Sequence, residues 1–181
     1  MAFVPLNWTS FRNTIASPDP NDLTKNAGVQ YAFDADAISA EQIASAIAGA
    51  GIKFKLKQYT VGGRAAGLSH DNPDADYTSI DYCIMCWRGD VPAVYIYENG
   101  TFVYHAGAPP GESSFYTVMI NDAGAIEYYV ADILKYTSLV APTFPLFADA
   151  SIDVIALGVF DALIDTGVVA KIDHLPLMGV H

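Results

Sequence analysis

The sequence predicts an antiparallel β-sandwich, and three turns carry that prediction. Asn99-Gly100 lies between AVYIYE and TFVYH, two runs with alternating side chains. Both central residues of a type I′ hairpin need φ > 0, which Asn and Gly accept most readily. Asn121-Asp122-Ala123-Gly124 separates FYTVMI from AIEYYV. Its Asn and Asp form local side-chain hydrogen bonds, and its Gly has permissive φ. Ala131-Asp132 then sends ILKYTS back along IEYYV. Residues 77–138 therefore read as consecutive antiparallel strands, and the rest of the chain is organised around them.

Composition agrees. At 181 residues the chain suits one domain with a full core. Hydrophobic residues make up 52% and charged residues 16%, which argues against extended disorder. The 11 Tyr and 9 Phe fit a strand-rich chain. A net charge of −11 argues against nucleic acid, whose phosphates need clustered Lys and Arg, and against anionic membrane surfaces. No run approaches the roughly 20 apolar residues of a membrane helix, so no membrane insertion is expected. The start, MAFVPLNWTSFRN, has no basic segment followed by an apolar one, so no secretory signal is expected. Assembly into a virus particle released by lysis is one route outside without such a signal.

In chain order, residues 1–26 read as an extended arm with a short strand near 9–15. SPDPNDLTKN is a loop, because Pro disfavours strand interiors and Asp-Pro favours turns. Residues 28–35 read as a strand, with Val29, Tyr31 and Phe33 alternating against Gln30, Ala32 and Asp34. In residues 37–50, Ile43 and Ile47 share a helical face and Ser39 offers a cap. A short helix is expected there, with a strand flanked by loops as its rival. GIKFKLKQYT is a strand with Ile52, Phe54 and Leu56 inward and Lys53, Lys55 and Lys57 outward. That basic stripe is either a solvated face or a docking strip for an acidic partner. After a Gly-Gly turn, RAAGLS is a strand of small residues that admits close packing. GAPPGESS is a loop between hairpins, LVAPTFPLF crosses over, and ASIDVIALGVF gives a last strand. The sandwich is expected over residues 27–160, with a tail at 161–181. Arm and tail are candidates for contacts in a homo-oligomer or with other virion proteins.

The two cysteines, Cys83 and Cys86, stand C-x-x-C inside a predicted strand. Three residues apart on a strand means opposite faces, so two buried free thiols are expected rather than a redox pair or zinc site.

The run IDYCIMC, YIYENGTF and GAIEYYVADILKYTS resembles the legume-lectin and laminin-G type of jelly roll, the concanavalin-like sandwich, over roughly residues 54–160. The resemblance implies a module of the kind found in lectins, carbohydrate-binding modules and adhesive proteins, bacteriophage tail proteins among them. One departure is Ala131-Asp132, where such modules often carry Asn-Gly.

Catalysis finds no support. Glycosidases on this sandwich carry an E-x-D-x-x-E strand, and Glu41, Glu98, Glu112 and Glu127 belong to no such motif. No G-x-S-x-G, H-E-x-x-H or phosphate loop is present. The densest oxygen cluster is Asp71, Asn72, Asp74 and Asp76. Ca²⁺ takes six to eight oxygen ligands, so this loop is a candidate Ca²⁺ site, with a solvated loop as the alternative. Sugars are held by aromatic faces plus polar groups for the hydroxyls. By strand parity the candidates are Trp87, Tyr95, Tyr97 and His105, with Arg88, Asp81 and Asn99 nearby. Each has an ordinary alternative: Trp87 as an inter-sheet core residue, and the tyrosines as half-buried sheet packing. The expectation is a non-catalytic module on a virion surface or outside the cell, contacting a glycan or cell-surface polysaccharide. A free lectin or a purely structural virion protein are the alternatives.

Overall fold

The computed structural model describes residues 2–16, 19–56 and 62–167. Strands are numbered in chain order. One sheet runs β13 (Ile133–Thr137), β12 (Ile126–Val130), β11 (Tyr116–Ile120), β6 (Gly51–Leu56), β15 (Gly158–Asp165), β4 (Leu23–Lys25) and β3 (Thr14–Ala16), and β1 (Val4–Pro5) also pairs with β15. The other, seven-stranded sheet runs β10 (Thr101–Gly107), β9 (Ala93–Glu98), β8 (Tyr82–Arg88), β7 (Gly62–Ser69), β14 (Leu146–Ile152), β5 (Ala35–Ile43) and β2 (Trp8–Arg12). Every pairing is antiparallel. The two sheets pack face to face as a jelly-roll sandwich.

The core sits between the sheets and follows the alternation of the strands. Ile52, Phe54 and Leu56 of β6 pack in one cluster with Ile84, Val94 and Ile96 of the facing sheet. Each fully buried side chain of this size contributes about 1.5–3 kcal/mol. The Tyr128 hydroxyl crosses from β12 to donate to Glu98 Oε1 at 3.0 Å. The expected close packing on β7 is present at Gly67, where a Cβ would lie 1.8 Å from the Tyr82 carbonyl oxygen. Cys83 and Cys86 are free and buried on opposite faces of β8, Cys86 between the sheets and Cys83 on the outer side.

The hairpin turns form as expected, whereas Gly62 and Gly63, expected as a turn, lie inside β7 opposite Arg88 and Trp87. Asn99 and Gly100 have φ of 47° and 73°, as a type I′ hairpin requires. Ala131 and Asp132 adopt φ of 52° and 60°, the same left-handed region without a glycine.

Three local expectations are corrected. Residues 37–50 are not a helix: the chain runs as β5 to Ile43 and then as loop. β5 lies between β14 and β2, and pairing on both sides overrides helix propensity. Ser39 shows it, donating to Glu41 O and accepting from Ala148 N. Residues 28–34 are not a strand, despite their alternation. They wrap the buried ammonium of Lys25, which donates to the carbonyls of Val29, Ala32 and Asp153 and to the Asp34 carboxylate. Residues 150–160 are not one strand but the end of β14, a turn, and the start of β15. The lysine stripe is neutralised: Lys53 pairs with Asp132 at 3.0 Å and Lys55 with Asp161 at 2.9 Å, both over the Phe115 ring. Lys57 lies outside the described residues. The N-terminal residues expected as an arm supply β1 to β4 to the two sheets, and β15 runs through the expected tail boundary at residue 160.

Candidate functional site

The outer face of the seven-stranded sheet carries a row of aromatic rings. Odd-numbered residues of β8 and β9 point to this side, because their even-numbered neighbours fill the core. Tyr95 and Tyr97 of β9 are therefore outward and half-buried. A bulge after Phe102 shifts the register of β10, so Phe102 lies opposite Tyr97 and His105 opposite Tyr95. Without the bulge, strict alternation would send His105 to the other side of the sheet from Phe102. The rings touch in sequence. Tyr95 stacks on His105 at 5.3 Å between centroids, and Phe102 meets Tyr95 and Tyr97 edge-on at 5.9 Å. Tyr97 meets Tyr77 at 5.2 Å, and Tyr77 meets Phe33 at 4.7 Å. Phe102 is 51% exposed.

The row ends near an open cleft of about 290 Å³ at one end of the sandwich, lined in part by His70, Asp71, Asp81, Tyr82 and Asn99. Asp81 precedes β8, and its Oδ2 accepts the His70 amide at 2.8 Å. Burial, then the nearby Asp71 charge, push the Asp81 carboxyl above its ordinary value. Asn99 is held at the hairpin by its amide, which donates to the Asp81 carbonyl at 3.0 Å. The Tyr82 hydroxyl donates to the Ala141 carbonyl at 3.2 Å, tying the cleft's far wall to β8.

The structure thus divides the predicted site residues. Tyr95, Tyr97 and His105 come together on the face, and Asp81 and Asn99 at the cleft. Trp87 shares the outer face and is 40% exposed, so it is not an inter-sheet core residue. It stands six residues along β8 from Asp81, roughly 20 Å at about 3.4 Å per residue. The Arg88 side chain lies outside the described residues. Sequence reasoning missed Phe102, Tyr77 and His70. Phe102 was within reach, since a two-residue hairpin places it opposite Tyr97. Tyr77 and His70 arrive through the long loop over the sheet, which leaves no local signal.

The acidic loop expected as a Ca²⁺ candidate commits two of its carboxylates to its own turn. Asp74 Oδ1 accepts the Asp76 amide at 2.9 Å, and Asp76 Oδ1 caps the 3-10 turn Tyr77–Ser79 through the Thr78 amide and hydroxyl. Among the described residues, no three His, Cys, Asp or Glu side chains group to hold a metal ion. Asn72 turns its side-chain oxygen into the protein, where it has no donor.

Beneath the loop lies a buried carboxyl pair. Asp149 is fully enclosed and accepts the Ser69 hydroxyl at 2.8 Å. Burial pushes its pKa up to about 8, opposed by Ser69 and reinforced by Asp36. Asp36 is itself raised by burial, with Arg12 Nε 3.5 Å away.

The architecture and this placement define the class as a concanavalin-like jelly-roll sandwich. No family model matches the chain, and no curated protein matches it in sequence. Solved structures do match in fold. The PSpry domain of TRIM65 aligns with a TM-score of 0.59 at 10% identity, covering 89% of this chain and 88% of that one. A legume lectin-like domain from Entamoeba histolytica aligns at 0.59 and 12% identity, covering 87% and 88%. The metal-free carbohydrate recognition domain of Emp46p aligns at 0.59 and 11%, covering 90% and 89%. At such identities the likeness is one of fold.

Proposed function

We propose that this chain is a non-catalytic glycan-binding module whose contact surface is the outer face of the seven-stranded sheet. One observation carries the reading: the row Tyr97, Phe102, Tyr95 and His105, preformed on two paired strands at the sheet edge. Aromatic rings offer flat apolar faces to the C–H faces of sugars, and a rigid strand pair presents them with little ordering cost. The Asp81–Asn99 cleft supplies hydroxyl partners at the end of the row. The lectin-like and carbohydrate-recognition domains among the fold neighbours support the same reading.

The lack of catalysis is part of the proposal. Glu41 is held by Asn7, Glu98 by Tyr128, and Glu127 by Asn121 and Tyr129, which leaves no facing pair of glutamates at the aromatic row.

The setting we propose is the outside of a virus particle, as an adhesion or decoration module in which repeated copies multiply weak sugar contacts. A free lectin would use the same face, and mass by light scattering separates them: a stable oligomer supports the particle setting, a monomer the free lectin. A glycan array tests the function itself. Binding that is lost in Phe102→Ala with the fold intact supports it, and an array with no bound glycan counts against it.

A further inference from the structure

We propose that the guanidinium of Arg64, enclosed between the two sheets, holds a small monovalent anion of chloride size. The site lies on the inner side of the seven-stranded sheet, whereas the aromatic row lies on the outer side.

Arg64 stands in β7 opposite Cys86 of β8 and Ile152 of β14. Residues paired across a ladder share a face, and both partners belong to the inter-sheet core, as does Ala66 two residues along β7. The Arg64 side chain therefore points into that core, where it is 0% exposed. Its Nε, Nη1 and Nη2 have no hydrogen-bond partner among the described residues. Lys25, the other fully buried cation among the described residues, is the opposite case. Its ammonium donates to the carbonyls of Val29, Ala32 and Asp153 and to the Asp34 carboxylate.

Asp153 is the acid close enough to feel the Arg64 charge, and it feels Lys25 as well. It is itself buried, and its Oδ1 accepts the Gly63 amide at 2.7 Å. Burial raises its carboxyl above the ordinary value, although the Gly63 bond, Arg64 and Lys25 all act against the rise. No hydrogen bond joins it to the guanidinium. Asp153 thus acts on Arg64 through space and leaves the N–H donors without an acceptor.

A guanidinium, unlike an ammonium, does not shed its charge on burial. Buried donors without an acceptor are strongly unfavourable in apolar surroundings. One spherical anion accepts several N–H bonds at once and supplies one negative charge. Full enclosure favours a small ion over a phosphate or a sugar acid. A larger group would need the sheets to part, and a second negative charge would stand there without a cation of its own.

Thermal unfolding of the full chain tests this, with sodium chloride replacing sodium gluconate at constant ionic strength. The melting temperature is expected to rise by about 3–5 °C per tenfold chloride once the site begins to fill. Arg64→Met removes the donors and should show no such rise. A flat response in the parent chain, or an equal rise in the variant, overturns the inference. Sodium sulfate separates general salt stabilisation from the site, since excluded salts act on both chains alike. Should Arg64→Met fail to fold, crystals of the parent chain grown in bromide decide the question. An anomalous peak beside the Arg64 guanidinium supports the anion, and no peak there overturns it.

Discussion

Tyr95 and His105 stack across the β9–β10 ladder, their rings 5.3 Å apart and within 28° of parallel. The stack exists because the bulge after Phe102 turns His105 to the outer face. Tyr95→Ala should remove the centre of the aromatic row. We expect glycan affinity to fall about tenfold, the order of one lost aromatic contact. The circular dichroism spectrum should stay unchanged, because Tyr95 is outside the inter-sheet core. Unaltered affinity on titration would remove Tyr95 from the site.

Asp149 makes stability pH-dependent. Its folded pKa, near 8, stands above its unfolded value, near 4. Below pH 4 both states are protonated and the site has no effect. As pH rises from 4 to 8 the unfolded chain releases a proton that the folded chain keeps, so stability falls through this window. Asp149→Asn keeps an acceptor for Ser69 and removes the charge. Melting temperatures should therefore rise for the variant at pH 7–8 and converge with the parent near pH 4. A variant less stable at pH 8 would contradict the assignment.

How much of this was legible in the sequence follows from how local each signal is. The hairpin at Asn99-Gly100 depends on backbone sterics within two residues, so its turn and register were readable. So was the split of Cys83 and Cys86, which needs only the alternation of one strand. Residues 28–34 were misread because what shapes them is the Lys25 ammonium, and no periodicity records a single buried cation. Residues 37–43 were misread because their neighbours β2 and β14 come from distant parts of the chain. The site was half legible for the same reason. Tyr95 and Tyr97 follow from parity, whereas His70 and Tyr77 reach it through a loop whose path only the fold reveals.

Lys25 is expected to be the most sensitive polar position. Its ammonium, fully buried, holds three carbonyls and the Asp34 carboxylate. Burial acts to raise the Asp34 pKa, but the hydrogen bonds from Lys25 and Val29 hold it below the usual carboxylate value. Lys25→Met would leave all these acceptors without their donor. Chemical denaturation should show a loss of about 3–5 kcal/mol, the range for breaking a buried ion pair from one side. A loss below about 1 kcal/mol would show that solvent replaces the ammonium.

The Tyr128–Glu98 bond joins the two sheets at 3.0 Å. Tyr128→Phe keeps the packing but leaves a buried carboxylate without this donor. A cost of about 1–3 kcal/mol is expected by urea denaturation. Burial and then the Glu98 charge push the Tyr128 hydroxyl pKa far upward, so the phenol should not ionise in absorbance titrations before the protein unfolds. Ionisation of every tyrosine in the folded state would contradict the placement.

The central claim is that the outer face of the seven-stranded sheet binds sugar. Backbone amide chemical-shift mapping with a glycan identified on an array tests it most directly. The account predicts shifts concentrated on β9 and β10, at Tyr95, Tyr97, Phe102 and His105, continuing to Asn99 and Asp81. Shifts concentrated instead on the opposite sheet, around Lys53, Lys55 and Phe115, would contradict it.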